Sequence, residues 1–481
     1  MPPEPPPQPL EPRRDLNFAH AASLVVGIII GTGIFLKSAS MAQSVGTPGL
    51  VLAAWAAAGA VAVLGALCFA ELGALLPHAG GEYVYLRTAY GEIPGFLFAC
   101  NAFVLGGAAV AAYGAAVAIF VSDMHSLGAD WLVRSIRVLG YEYRFSFGPR
   151  QLLAIAVIAV FAAINCAGVI LGGRVQSLLT VAKLLAVAGV ATGVFLFGRT
   201  RTLGHLAAPP ASAGSGLAGF GAAVFSALWA FSGWQFLPMA AAEVRNPQRT
   251  LPRAIVGGML LVLALYLAIN FAYLYALPFQ QVASANSTAY PEAPSVAART
   301  VQTFLGDRAA PVAALIFLVS TIGSLNGMIL AAARVPYAAA RDGLFFAPFG
   351  RLHPASRVPV FSLVLLALWG ALLAASGTFD QLTNMAVMSY ALFWIPVVLA
   401  IIVLRRRQPA APRPYRVPLY PWVPILFALA MLGIVVSAFV TTAMESIATV
   451  VLILLGLLLY PLFRSRRRAP APATATRAPT A

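Results

Sequence analysis

The sequence predicts an all-α, polytopic membrane protein with twelve transmembrane helices, and three observations carry that prediction. Sixty percent of the 481 residues are hydrophobic and only 10% are charged, with a mean hydropathy of +0.85. A soluble domain of this length could not hide so much apolar side chain. Apolar stretches of roughly 20 residues recur along the chain, each able to cross a hydrocarbon layer of ~30 Å. Arginines collect in alternate connections, the pattern that cytoplasmic loops impose. In a soluble chain the net charge of +16 would raise the question of nucleic acid. Here the lipid bilayer explains it, and no nucleic-acid partner is expected.

The predicted spans run over 19–44, 50–76, 94–121, 150–169, 175–197, 217–241, 253–277, 310–335, 359–376, 380–404, 422–442 and 445–463. The segment 291–305, "PEAPSVAARTVQTFL", reads as a short amphipathic helix before the eighth span. The Pro-rich start, residues 1–15, reads as a disordered tail with no cleavable signal peptide. Residues 464–481 read as a disordered basic tail held at anionic lipid headgroups. Twelve spans put both termini on one side. Connections on that side hold 21 arginines, from Arg13 to Arg477, against 8 on the other, from Arg134 to Arg308. Both termini are therefore expected in the cytoplasm. The connection 122–149 runs against the rule, with Arg134, Arg137 and Arg144.

The first span carries "GIIIGTGIF" at residues 27–35. Glycine costs about 1 kcal/mol relative to alanine in a helix interior, so Gly31-Thr32-Gly33 marks a place where the helix can unwind. Unwound backbone within a bilayer is tolerated only where it lines a cavity or is buried in protein. The freed N–H groups that open the second half-helix suit an anion such as a carboxylate. Close packing of small residues between helices accounts for the same glycines, and spacing alone does not choose. A phosphate loop fits poorly, because "GTGIFL" lacks a third glycine and no strand precedes it. The sixth span decides between them. Its centre, "WAFSGW" at 229–234, is again interrupted by small residues, with Pro238 following. If the core is two five-helix halves, the first and sixth spans are equivalent, and paired interruptions of this kind point to a central binding site.

Only two residues are lysines, Lys37 and Lys183. Lys183 lies mid-way along the fifth span, too deep to reach the interface comfortably, and an intramembrane charge of this kind faces the protein interior. It could carry a coupling proton, act as a fixed cation in place of a metal ion, or tie exposed helix carbonyls together. Lys37, just past the first break, faces a shorter path to water and receives no role. Glu71 and Glu243 end the second and sixth spans. Pairing with a loop arginine such as Arg245 or Arg334 is the plainer account of each, and such a pair could serve as a cytoplasmic gate. The five histidines lie at span ends or in loops, and Cys68, Cys100 and Cys166 have neither metal spacing nor an even count. No cofactor, metal or enzyme chemistry is expected.

"GIIIGTGIF" followed by "GTPGLVLAAWAAAGAVAVLGALCFAELGALLPHAGGEYVYLRTAYGEIPGFLFA" resembles the first three helices of the amino acid–polyamine–organocation transporters, in particular the L-type amino acid transporter branch and its bacterial relatives. "NCAGVILGGRVQSLLTVAKLLAV", "FSALWAFSGWQFLPMAAAEVRNPQRTLPRAI", "STIGSLNGMILAAARVPYAAARDG" and "PYRVPLYPWVPI" continue the likeness in order, over residues 17–463. The resemblance implies a leucine-transporter-type core, residues 16–404, made of inverted repeats 16–200 and 215–404. A cytoplasmic loop, 405–421, and two peripheral helices, 422–463, follow. It implies alternating access around an amino acid at mid-membrane. The substrate carboxylate would meet the amides after the first break, at Thr32 and Gly33. The ammonium would meet carbonyls at Ile29 and along Trp229, Ala230, Phe231 and Ser232, with Trp229 as an aromatic gate. Lys183 would stand where sodium-coupled relatives hold sodium, bridging Gly31 to Ser320 or Ser324. The human exchangers bind a glycoprotein through a cysteine before the fourth span; 122–149 has none, so no disulfide-linked partner is expected.

The resulting expectation is a sodium-independent transporter of neutral L-amino acids in a bacterial inner membrane, either an exchanger or coupled to protons. The alanine-rich, arginine-over-lysine usage fits a GC-rich bacterial genome. The absence of an acid at the pocket floor argues against the alternative, cationic amino acids or polyamines. A non-transporting receptor would bind without flux.

Overall fold

The computed structural model describes residues 10–124, 127–138, 141–207, 216–287, 289–290, 293–376 and 379–468. The N-terminal tail 1–9 and the basic tail from 469 onward lie outside the described residues. Among those described, ten helical stretches are long and apolar enough to cross a membrane, and two shorter apolar helices, Gly216–Phe231 and Val360–Ala375, make twelve.

In chain order the helices are α1 (Phe18–Ile29), α2 (Gly33–Val45), α3 (Pro48–Leu75), α4 (Glu82–Tyr90) and α5 (Glu92–Met124). Strands β1 (Leu132–Val138) and β2 (Tyr141–Phe147) follow, then α6 (Pro149–Ala167), α7 (Val169–Phe197), α8 (Gly216–Phe231) and α9 (Phe236–Met239). The second half holds α10 (Pro247–Ala276), α11 (Phe279–Ala283), α12 (Val296–Leu305), α13 (Ala309–Ala332) and α14 (Arg334–Arg341). It ends with α15 (Val360–Ser376), α16 (Phe379–Arg407), α17 (Trp422–Thr441) and α18 (Ala443–Arg468).

Helix ends follow local chemistry. Asn17 caps α1 by accepting from the His20 amide at 3.0 Å, and Thr47 caps α3 with Pro48 in its first turn. The first span is two helices, α1 and α2, and the sixth is α8 and α9. The α1–α2 pair sits at the centre: α1 packs on α7, α10 and α13, and α2 packs on α8. In the last pair, α17 lies against α16 and α3, and α18 against α5 and α16. Their outer faces carry exposed apolar side chains such as Leu429, Leu458 and Leu462, as lipid contact requires.

Four features differ from the sequence reading. The connection 122–149 contains an antiparallel hairpin, β1 and β2, registered from Leu132 opposite Phe147 to Val138 opposite Tyr141. Seven-residue alternation is too short to register beside spans of about 20 residues. The helix α4 fills the connection between the second and third spans. The fifth span starts at Val169 rather than 175, because Gly172 and Gly173 stay helical where they pack on Asn165, Leu16 and His20. The N-terminal segment, read as disordered through residue 15, is docked over its last residues: Arg341 donates to the Leu10 carbonyl and Arg245 to the Arg14 carbonyl, and the next residue, Leu16, is buried against Val244. The amphipathic helix before the eighth span is present as α12, capped by the Ser295 hydroxyl.

Candidate functional site

The two interruptions face each other. The first leaves Ile30, Gly31 and Thr32 outside helix, with Thr32 at the N-cap of α2 making no side-chain cap bond. The amides of Thr32, Gly33 and Ile34 thus head a 13-residue helix, where no intrahelical acceptor exists. The second spans Ser232–Gln235, between α8 and α9. Its backbone is satisfied locally: the Gln235 side chain accepts from the Gly233 amide at 2.8 Å and donates to Ser232 Oγ at 2.9 Å.

Glycine is required where the two segments touch. A Cβ on Gly33 would lie 2.5 Å from Ala230 Cβ and 2.6 Å from its Cα. Gly233 has φ +151°, and a Cβ there would lie 2.6 Å from the Ile29 amide nitrogen. Gly31 is less tight; a Cβ would meet Ser324 Oγ at 3.0 Å and Tyr113 at 3.3 Å.

A helix that stops inside a bilayer leaves its last four carbonyls without partners, and side chains from three other helices supply them here. Lys183 Nζ, fully buried on α7, donates to Gly27 O at 2.6 Å, Ile30 O at 2.7 Å and Ser320 O at 2.7 Å, with Ser324 Oγ at 3.4 Å. Ser320 Oγ donates to Ile30 O at 2.9 Å, and Ser324 Oγ lies 3.1 Å from both Gly27 O and Ile28 O. Tyr266 of α10 reaches Ile29 O at 2.8 Å and Ala230 O at 3.1 Å. One ammonium therefore joins the negative end of α1 to α13, and one hydroxyl spans both breaks. The Lys183 ammonium meets acceptors alone, the surroundings a metal cation would require.

Trp229 is 5% exposed; its indole N–H donates to Thr32 Oγ1 at 3.3 Å and its ring lies 5.7 Å from that of Tyr113. The Phe231 ring packs on Trp55 at 5.7 Å and Tyr266 at 5.1 Å, between α3 and α10. An aromatic layer of Phe35, Phe120 and Phe317 lies on one side of the breaks, with centroids 4.5 and 5.1 Å apart. Phe69, Trp234, Trp394 and Tyr390 form another layer on the side of the chain termini.

The two acids are both paired with arginine. Glu243 accepts from Arg334 through both oxygens at 3.0 Å, and both side chains are buried; Arg245 instead reaches the Arg14 carbonyl. Glu71 accepts from Arg405 at 2.9 and 2.6 Å and from the Val417 amide at 2.6 Å. Its partner comes from the end of α16, not from Arg245 or Arg334, because the fold returns α16 beside α3.

Sequence reasoning missed Tyr266, Tyr113, Thr180, Gln176 and Asn326. Thr180 donates to the Ser23 carbonyl at 2.9 Å, and Asn326 reaches Gln176 Oε1 at 2.9 Å, so a polar chain joins α1, α7 and α13 below the break. Each is a polar residue within an apolar span. The available signal was that a buried tyrosine or amide needs a partner.

The chain thus has a broken pair of central helices whose freed carbonyls are held by side chains. The sequence model of the amino acid permease family matches residues 16–460. The chain is 30% identical over 457 residues to the serine/threonine exchanger SteT of Bacillus subtilis, covering 95% of this chain and 98% of that one. It is 30% identical over 463 residues to the b(0,+)-type amino acid transporter 1 of Homo sapiens, covering 94% and 88%. It is 27% identical over 467 residues to the Asc-type amino acid transporter 1 of Mus musculus, covering 92% and 80%. With its full set of apolar helices in place, the chain belongs to the amino acid permease family of the amino acid–polyamine–organocation superfamily, whose members are membrane transporters and not enzymes.

Proposed function

We propose that this protein is a sodium-independent secondary transporter of neutral L-amino acids, working by alternating access in a bacterial inner membrane with both termini cytoplasmic. The observation that carries this reading is the Lys183 ammonium bound to Gly27, Ile30 and Ser320 carbonyls. A fixed cation that ties the first break to α13 leaves no role for a sodium ion there.

In this reading the repeats 16–200 and 215–404 move about the breaks. The substrate carboxylate takes the amides of Thr32 and Gly33, at the positive end of α2. Its ammonium takes carbonyls at Ile29 and along 229–232, sharing Ile29 and Ala230 with the Tyr266 hydroxyl through their second lone pairs. Trp229 and Tyr113 form the gate over the ligand. The pairs Glu243–Arg334 and Glu71–Arg405 hold the cytoplasmic side shut. Exchange is favoured over net uptake by the similarity to SteT, named as a serine/threonine exchanger. No glycoprotein subunit takes part.

The test is uptake of a radiolabelled amino acid panel into proteoliposomes with sodium replaced by choline. Flux of small neutral amino acids that survives the replacement is expected, and a Lys183→Ala variant should lose most of it. Strict sodium dependence, flux of lysine or arginine alone, or full activity in Lys183→Ala would overturn the reading.

A further inference from the structure

Between the second and third spans, α4 carries Glu82 into a buried polar cluster that the transport scheme above does not use. Glu82 is 1% exposed, and its Oε2 has no hydrogen-bond partner. Tyr85 Oη, Tyr390 Oη and Trp394 Nε1 are likewise buried and without hydrogen-bond partners. Four orphaned polar atoms in one place are costly. An ionised carboxylate here would cost more still, since among the described residues no salt bridge to Glu82 compensates it.

The following charged groups on the surrounding elements have other partners. On α4 itself, Arg87 and Tyr83 bond to Asp342, just past α14. On α5, Glu92 accepts from Tyr460 at 3.3 Å. On α14, Arg334 pairs with Glu243 and Arg341 reaches the Leu10 carbonyl. On α16, Arg405 binds Glu71 and Arg407 binds the Ala89 carbonyl. The Trp394 indole favours the ionised form without reaching hydrogen-bond geometry.

The cluster adjoins the second break. Trp394 stacks on Tyr390 at 5.5 Å and lies 4.9 Å from Trp234, within the Ser232–Gln235 interruption. Phe69 links Tyr85 at 6.1 Å to Trp234 at 4.6 Å. Opening a route from the breaks toward the chain termini by parting these rings would wet Glu82.

We propose that Glu82 is a proton-binding site: its carboxyl is protonated while this face is closed, and it gives the proton to water when the face opens. Burial is the main cause that pushes the Glu82 carboxyl up to about 8, opposed by its own amide and by Trp394. In the open, wetted state it returns to the ordinary carboxylate range. The closed state is thus fully favoured below that range and loses stability as pH rises to about 8, above which both states are ionised. Within that window each pH unit shifts the closed-to-open ratio by up to about tenfold. The inference rests on the alternating-access reading for its link to transport, but not for the proton site itself.

The experiment uses the full chain in two arms. In the first, infrared spectra of wild type and Glu82→Gln are compared from about pH 5 to about pH 9. A protonated-carboxyl band present in wild type, missing from Glu82→Gln and lost with a midpoint near 8, is expected. No such band, or one that never titrates, overturns the proposal. In the second, proteoliposome flux is measured over the same range. Wild type should vary by about tenfold or more while Glu82→Gln stays flat; matching profiles overturn the link to opening. If Glu82→Gln does not fold, Glu82→Asp must shift both midpoints together, and unshifted midpoints count against the proposal. A titrating band in a protein without flux would sink the transport reading and leave the proton site standing.

Discussion

Lys183 and Tyr266 do the same physical task with different chemistry. Each supplies donors to carbonyls that the first break strips of their helical partners. The lysine was conspicuous in the sequence, because a charge amid an apolar span needs a reason. Tyr266 was not, because a tyrosine in "LVLALYLAIN" also reads as core. Its hydroxyl nevertheless joins Ile29 to Ala230, one carbonyl from each broken span. Tyr266→Phe keeps the ring packing on Trp55 and Phe231 but removes that donor. The variant should unfold with a loss of about 1–3 kcal/mol and bind substrate more weakly. Thermal melting in detergent, with and without amino acid, reads both; unchanged melting would mean that the hydroxyl is dispensable.

At the scale of elements, what matters is how closely two interrupted helices approach. Gly33 against Ala230 and Gly233 against Ile29 put backbone on backbone, so no side chain can relax out of the way. Gly233→Ala meets both obstacles at once: a left-handed φ and a contact of 2.6 Å with the Ile29 nitrogen. Strain of on the order of 1–3 kcal/mol adds to the steric clash. The expected outcome is correct membrane insertion with flux lost, read by proteoliposome uptake alongside expression and monodispersity. By contrast, Gly257→Ala, on α10 with open space around its Cβ position, should transport normally. The sequence located both breaks, since Gly31-Thr32-Gly33 and Ser232-Gly233 weaken helices wherever they occur. It could not give their mutual contact, which joins residues about 200 apart.

For the whole molecule, the central pair α1–α2 is enclosed by α3, α7, α8, α10 and α13, while α17 and α18 stay at the edge. A site at the centre reaches either surface only if surrounding helices shift, which is the physical content of alternating access. The aromatic layers on both sides of the breaks, Phe35–Phe120–Phe317 and Phe69–Trp234–Trp394–Tyr390, are the barriers such shifts would open. Under the proposed exchange mechanism, uptake of labelled serine or threonine should require amino acid preloaded inside the vesicles. Rapid uptake into empty vesicles driven by an imposed proton gradient would identify net proton symport instead.

Composition and periodicity determined the membrane-spanning, all-α class, the number of spans, the two weak points and the one anomalous cation. These are properties of contiguous segments: apolar length, glycine's entropy and the cost of charge in lipid act locally. Only the tertiary structure decided the partners. Arg405 rather than a nearer arginine meets Glu71, the Phe231 ring packs between α3 and α10, and Glu82 lies buried although its segment reads as a loop. These three partnerships (Arg405 with Glu71, the Phe231 ring with Trp55 and Tyr266, the burial of Glu82) depend on which distant helix arrives alongside, and a one-dimensional pattern carries no distance between residues far apart in the chain.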